Sequence, residues 1–171
     1  MDYYSEMLAR YRNRGLLVDT SLLLLFLVGV LDPGRIERFK RTKSFTIEDF
    51  GVLKRMVLFF TRVVTTPNIL TEVSNLLRQL PEGTREESSS VFSKAVDKIN
   101  EEYTSSRDLA AQNHFPKFGL TDSSIIETCR LRYLVLTVDL PLFAFLTNSG
   151  LDAINFNHIR TWTWFADLMK A

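Results

Sequence analysis

The chain has 171 residues, 46% of them hydrophobic and 24% charged, with a formal net charge of +1. That length and composition describe one globular domain with its own core and exclude a disordered chain, while the near-zero net charge excludes a molecule that binds nucleic acid through overall charge alone. A single cysteine, Cys129, excludes an internal disulfide and a cysteine-based zinc site.

Residues 1–15 precede the first recognisable element and read as an N-terminal extension; residues 16–171 read as the domain. Leu16-Leu17-Val18 predicts a short buried strand that ends at Asp19. Asp19, Thr20 and Ser21 supply cap chemistry for the Leu-rich run that follows. Leu22 to Leu31 is ten apolar residues. It is shorter than the ~20 needed to span a bilayer and lacks a following cleavage site, so it predicts a fully buried helix and no membrane segment. Asp32-Pro33-Gly34 is a stop and turn. Arg35 to Lys43 reads as a short basic helix or loop. Thr46, with Asp49 three residues on, predicts a capped helix start.

Arg62 to Thr65 is β-branched and short, a second strand. Pro67 opens a helix through Leu77 whose stripe is Ile69, Leu70, Val73, Leu76 and Leu77, with Glu72 beside it. Ser88 to Arg107 predicts one long amphipathic helical segment with Val91, Phe92, Ala95, Val96, Ile99 and Tyr103 inward. Phe115 to Gly119 reads as a loop. Thr121-Asp122-Ser123-Ser124 caps a helix that carries Cys129, a buried structural thiol, and Leu131. Tyr133 to Val138 is a third strand, ended by Asp139. Leu140 to Thr147 is a helix with Pro141 in its first turn. Asn148-Ser149-Gly150 stops it, and Leu151 to Phe156 is the last strand. Trp162, Trp164 and Phe165 form an aromatic cluster suited to packing on the body of the protein, with base stacking as the alternative. Strands alternating with helices predict an α/β protein with a mainly parallel sheet. In such sheets the working groups gather outside the carboxyl ends of the strands.

Charge is unevenly spread. From Arg35 to Arg62 there are eight Lys or Arg against three acids. Arg35, Arg38, Lys40, Arg41 and Lys43 are therefore candidates for holding a phosphate backbone, with a solvated face as the alternative. Four acids stand at the edges of apolar stretches: Asp19, Glu72, Asp122 and Asp139. A carboxylate beside a core needs a partner. Asp19 and Asp122 also suit helix caps, Asp139 a turn, and Glu72 a surface position beside its stripe. Clustered carboxylates without His or Cys suit magnesium or manganese, which take hard oxygen ligands. His114 and His158 read as surface or loop residues.

Val-Asp-Thr-Ser after a strand, Pro-Asn-Ile-Leu-Thr-Glu-Val on a helix, Leu-Thr-Asp-Ser-Ser at a helix start and Val-Leu-Thr-Val-Asp at a strand end occur in that order. The set, from about Leu16 to Ile159, resembles the PIN-domain ribonucleases, whose bacterial branch includes the VapC-like toxins. The resemblance implies a three-layer α/β/α fold and Mg2+- or Mn2+-dependent hydrolysis of RNA, with endonucleolytic cleavage favoured. It implies Asp19, Glu72, Asp122 and Asp139 as metal-site acids, with Asp19 bridging, and Ser21, Thr137 and Asn157 as supporting polar residues. It further implies RNA as substrate, an antitoxin protein as partner and a homodimer; the single cysteine suits a reducing cytoplasm. The rival is a non-catalytic module of the same type that binds RNA or protein. A phosphatase of the Asp-x-Asp type fits badly, because Ser21 stands where the second Asp would be.

Overall fold

In the computed structural model, which describes residues 3–130 and 132–160, five strands form one parallel sheet in the order β3-β2-β1-β4-β5. These are β1 (Leu16–Val18), β2 (Val63–Thr65), β3 (Asn100–Glu101), β4 (Leu134–Thr137) and β5 (Ala153–Asn155). The two central strands are buried throughout, which is why they read as unbroken apolar runs rather than as alternating patterns. With the right-handed crossovers that parallel sheets favour, α2 (Thr20–Leu31) and the helices packed around it, α3 (Ile47–Phe59), α4 (Pro67–Leu77) and α5 (Arg85–Val96), fall on one face. α6 (Ser106–Ala110), α7 (Phe115–Cys129) and α8 (Leu140–Asn148) fall on the other. A short α9 (Phe156–Ile159) follows β5. The layers are α/β/α.

α2 packs against α3, α4 and α5. That crowding explains a helix that is apolar on almost every side, with Leu22, Leu23, Leu24, Leu25, Leu27, Val28 and Gly29 buried. α3 begins on the predicted cap: the Asp49 amide donates to Thr46 Oγ1, and Asp49 Oδ2 accepts from the Thr46 amide. The residues before β1 are more than an extension. α1 (Tyr3–Tyr11) sends Met7, Leu8 and Tyr11 into the same core as the sheet. Tyr11 Oη donates to Asp152 Oδ2 at 2.8 Å, which ties α1 to the chain entering β5. Cys129 is buried, its thiol pushed up to about 12 chiefly by burial, as a structural cysteine should be.

Two expected elements differ. The single helical segment over Ser88–Arg107 is broken in two. α5 ends at Val96, the chain turns, and Asn100 and Glu101 pair with Val64 and Thr65 as an edge strand. α6 then starts afresh on Ser105, whose side chain accepts from the Asp108 amide. Tyr103, expected inward, is 75% exposed. The expected loop at Phe115–Gly119 is helical and continues into the next helix across a kink at Gly119, where φ is 67°. Only glycine takes that backbone angle without strain. The cluster of Trp162, Trp164 and Phe165 lies outside the described residues. Among the described residues, no helix is long and apolar enough to cross a membrane.

Candidate metal centre

The sheet order changes direction between β1 and β4, because the chain builds β2 and β3 on one side of β1 and then β4 and β5 on the other. Such a switch point leaves a crevice outside the carboxyl ends of the two central strands. Asp19 follows β1 and Asp139 follows β4, so the topology alone brings together two acids far apart in sequence. Both also cap helices: Asp19 Oδ1 accepts from the Leu22 amide at 2.9 Å, and Asp139 Oδ1 from the Leu142 amide at 2.7 Å. The capping and site readings of these two residues therefore do not compete; one oxygen of each does the capping.

Asp19 is 5% exposed and held from both sides. Its Oδ2 accepts from Thr137 Oγ1 at 2.5 Å and from the Val138 amide at 2.9 Å. Thr137 Oγ1 in turn accepts from the Asp139 amide at 2.9 Å, so one buried hydroxyl couples the two strand ends. Burial pushes the Asp19 carboxyl above the usual range, and Asp139 adds to this; the Thr137, Leu22 and Val138 donors oppose it.

Glu72 sits on α4, which leaves the carboxyl end of β2. Its two oxygens accept from two threonines: Oε2 from Thr20 Oγ1 at 3.0 Å, and Oε1 from Thr121 Oγ1 at 2.7 Å. Thr20 opens α2 and Thr121 lies just past the Gly119 kink, so this carboxylate clamps α4 to helices on both faces of the sheet. A second link runs alongside it, between Thr66 Oγ1, the cap of α4, and Ser124 Oγ at 2.8 Å. Asp122 follows Thr121. Its carboxyl is pushed up to about 6, first by burial and then by the charges of Asp139, Asp19 and Glu72. All four acids thus share one electrostatic neighbourhood. Among the described residues no Lys, Arg or His is ion-paired with any of them.

The donor set suits a hard divalent cation: four carboxylates, ringed by hydroxyls. A carboxylate offers about four lone-pair sites. Asp19 has three filled by hydrogen bonds, and both sites on Oδ2 are taken. It has room for one further partner, on Oδ1. Asp139 keeps Oδ2 open, and Asp122 makes no side-chain hydrogen bond among the described residues. The open oxygens therefore belong to Asp122 and Asp139, with Glu72 half-occupied. Among the described residues no three acids, imidazoles or thiols stand close enough to hold a metal ion as they are.

The expected supporting residues divide. Thr137 is central to the site. Ser21 is exposed and makes no side-chain hydrogen bond among the described residues, and Thr20 beside it does the bonding instead. Asn157 is exposed; its amide donates to Asn155 Oδ1 and its own Oδ1 accepts from Arg160, with no link to the acids. The basic stretch lies elsewhere. Arg35 and Arg38 pair with Asp32 at the far end of α2, and Arg41 donates to Gln79 beyond α4. The 12 residues of α2 separate Asp32 from Asp19 by ~18 Å at ~1.5 Å per residue. Lys40 and Lys43 are exposed on the same far segment. Thr20 and Thr121 were missed as site residues, although each adjoins a predicted acid, Asp19 and Asp122. Beside the acids runs a cleft of about 660 Å³ between α4, the β3–α6 link and the α7 kink, bordered by Glu72 and Asp122. Neither the models of known protein families nor the curated proteins include a match to this chain.

Proposed function

We propose that this protein is a metal-dependent ribonuclease of the PIN type, hydrolysing RNA phosphodiester bonds with magnesium or manganese held by Asp19, Asp122, Asp139 and Glu72. The observation that carries this reading is the meeting of Asp19 and Asp139 at the carboxyl ends of adjacent parallel strands, coupled through the buried Thr137 hydroxyl, with Asp122 near enough that its carboxyl is pushed up by burial and then by the charges of Asp139, Asp19 and Glu72. Four carboxylates gathered at the carboxyl ends of a parallel sheet, with no paired cation among the described residues, make a site that gains stability when a divalent cation arrives. When bound, magnesium or manganese would activate water for attack on phosphorus and neutralise the charge that builds up on the phosphate oxygens.

The chain's own residues prepare that site. Thr137, Val138 and Leu22 fix the Asp19 carboxylate, so it needs no reordering to act as a ligand. Thr20 and Thr121 hold Glu72 at the mouth of the cleft. Asp122 carries a proton below about pH 6 and must release it before it can serve as a ligand, so metal binding strengthens as pH rises through that value.

The test is RNA cleavage by purified protein with manganese and with chelator, in wild type, Asp122→Asn and Asp139→Asn. Asn caps a helix as well as Asp does, and Asp122 makes no side-chain bond to lose. We expect manganese-dependent cleavage by the wild type and a fall of at least about 100-fold in either variant, the scale on which removing one charge-stabilising group acts. Cleavage that survives chelator, or is undiminished in both variants, overturns the assignment. Metal-independent RNA binding without cleavage would point to the non-catalytic module instead.

A further inference from the structure

The cleft beside the acids has a composition that the metal chemistry does not require. Among the described residues, Glu72 and Asp122 are its only charged lining residues, and both are negative. Its lining also includes Asn68, Tyr103, Thr104 and Ser106. None of these four side chains is hydrogen-bonded to another protein group among the described residues. Among the described residues, Tyr103 is the most exposed large hydrophobic side chain, at 75%. It stands on the link from β3 to α6, just past the carboxyl end of the edge strand, on the same rim of the sheet as Asp19 and Asp139.

A polar tip on an apolar ring, left in water, leaves apolar area unburied, and here it stands over a cleft lined with free amide and hydroxyl groups. A phosphate is repelled by the two carboxylates that border this space. A flat, neutral group rich in hydrogen-bonding edges is not. We infer that the cleft holds an unpaired nucleobase flanking the bond to be cut, stacked on Tyr103, with its edge read by Asn68. This rests on the ribonuclease reading and deepens it: the substrate is single-stranded, because a base within a duplex has no free face to offer. Asn68 lies one helical turn before Glu72 on α4, so the base and the acids are set by one rigid element.

The test uses a labelled single-stranded RNA oligonucleotide. Its binding is followed by fluorescence anisotropy in chelator, and its cleavage is followed with manganese. The proteins are wild type, Tyr103→Ala, Tyr103→Phe and Asn68→Ala. Tyr103 is exposed, so its variants fold. Stacking on one aromatic ring predicts about tenfold weaker binding and about tenfold lower kcat/KM in Tyr103→Ala, with Tyr103→Phe within about twofold of wild type. Asn68→Ala should narrow the difference in affinity between oligonucleotides that differ in one base. Duplex RNA should bind wild type and Tyr103→Ala alike. If wild type cleaves RNA while Tyr103→Ala binds and cleaves equally well, the base assignment fails and the nuclease stands. If Tyr103→Phe is as weak as Tyr103→Ala, the hydroxyl rather than the ring is used and stacking is overturned. If wild type neither binds nor cleaves RNA, both readings fall together.

Discussion

Thr137 shows what a single hydroxyl does here. It donates to Asp19 and accepts from the Asp139 amide, and it is wholly buried. Thr137→Val keeps the shape, removes a bond to a carboxylate and strands the Asp139 N–H. The expected cost is about 2–3 kcal/mol, read from urea unfolding, with Thr137→Ser recovering most of it. A Val variant as stable as wild type would mean that the hydroxyl is not needed to hold the two strand ends together. The acids themselves were readable as residues out of place at apolar edges. Their donors were less so, since a threonine beside an aspartate reads first as a cap. Thr20 and Thr121 became visible only when α2, α4 and α7 were seen to meet at Glu72. The donors of Asp19 Oδ2 were hidden for the same reason: Thr137 and Val138 arrive from another strand.

Among the elements, α2 and α3 meet so closely that one position tolerates nothing larger than hydrogen. A Cβ on Gly29 would stand 2.3 Å from Phe50 Cδ2. Alanine in an open helix position gains up to ~1 kcal/mol over glycine. Here overpacking outweighs that gain, and Gly29→Ala should destabilise by about 1–3 kcal/mol in thermal or chemical unfolding. Adding Phe50→Leu should restore part of the loss; a more stable single variant would contradict the packing. The central strands and the buried helix were readable because apolar runs and caps are local signals. The edge strand β3 was not. Asn100 and Glu101 are exposed and have no strand signature, and only pairing with β2 makes them one. That pairing interrupts a helical periodicity that continued through Ile99 to Tyr103. Gly119 misled in the opposite direction: it marked a break, but its positive φ lets helix resume on either side.

For the molecule as a whole, the crowded acids set a pH dependence. In the metal-free protein Asp122 titrates near 6, against 3.8 for the ordinary carboxyl. Between those values the folded state holds more protons than the unfolded state, so stability falls as pH rises through the window and stays reduced above it. Buried Asp19, shifted in the same direction, adds to the trend. Urea unfolding in chelator should therefore find Asp122→Asn more stable than wild type at pH about 7.5, on the order of 1 kcal/mol once solvent screening is allowed for. At pH about 4 the two should converge. Identical curves at both pH values would mean that neither burial nor the neighbouring charges raise the Asp122 carboxyl.

The bond between Thr137 and Asp19 spans 118 positions of the chain. β1 sits between β2 and β4, so it lacks one neighbour until residues 134–137 have been added. During synthesis, Asp19 meets its Leu22 amide donor early, but the Thr137 hydroxyl and the Val138 amide are added much later. Contacts this distant also slow folding, because the intervening chain must be closed before they form. A product ending before Val138 would keep Asp19, Glu72 and Asp122 but leave Asp19 without its Val138 donor and the set without Asp139. The proposed site is therefore complete only once residues through Asp139 have been made.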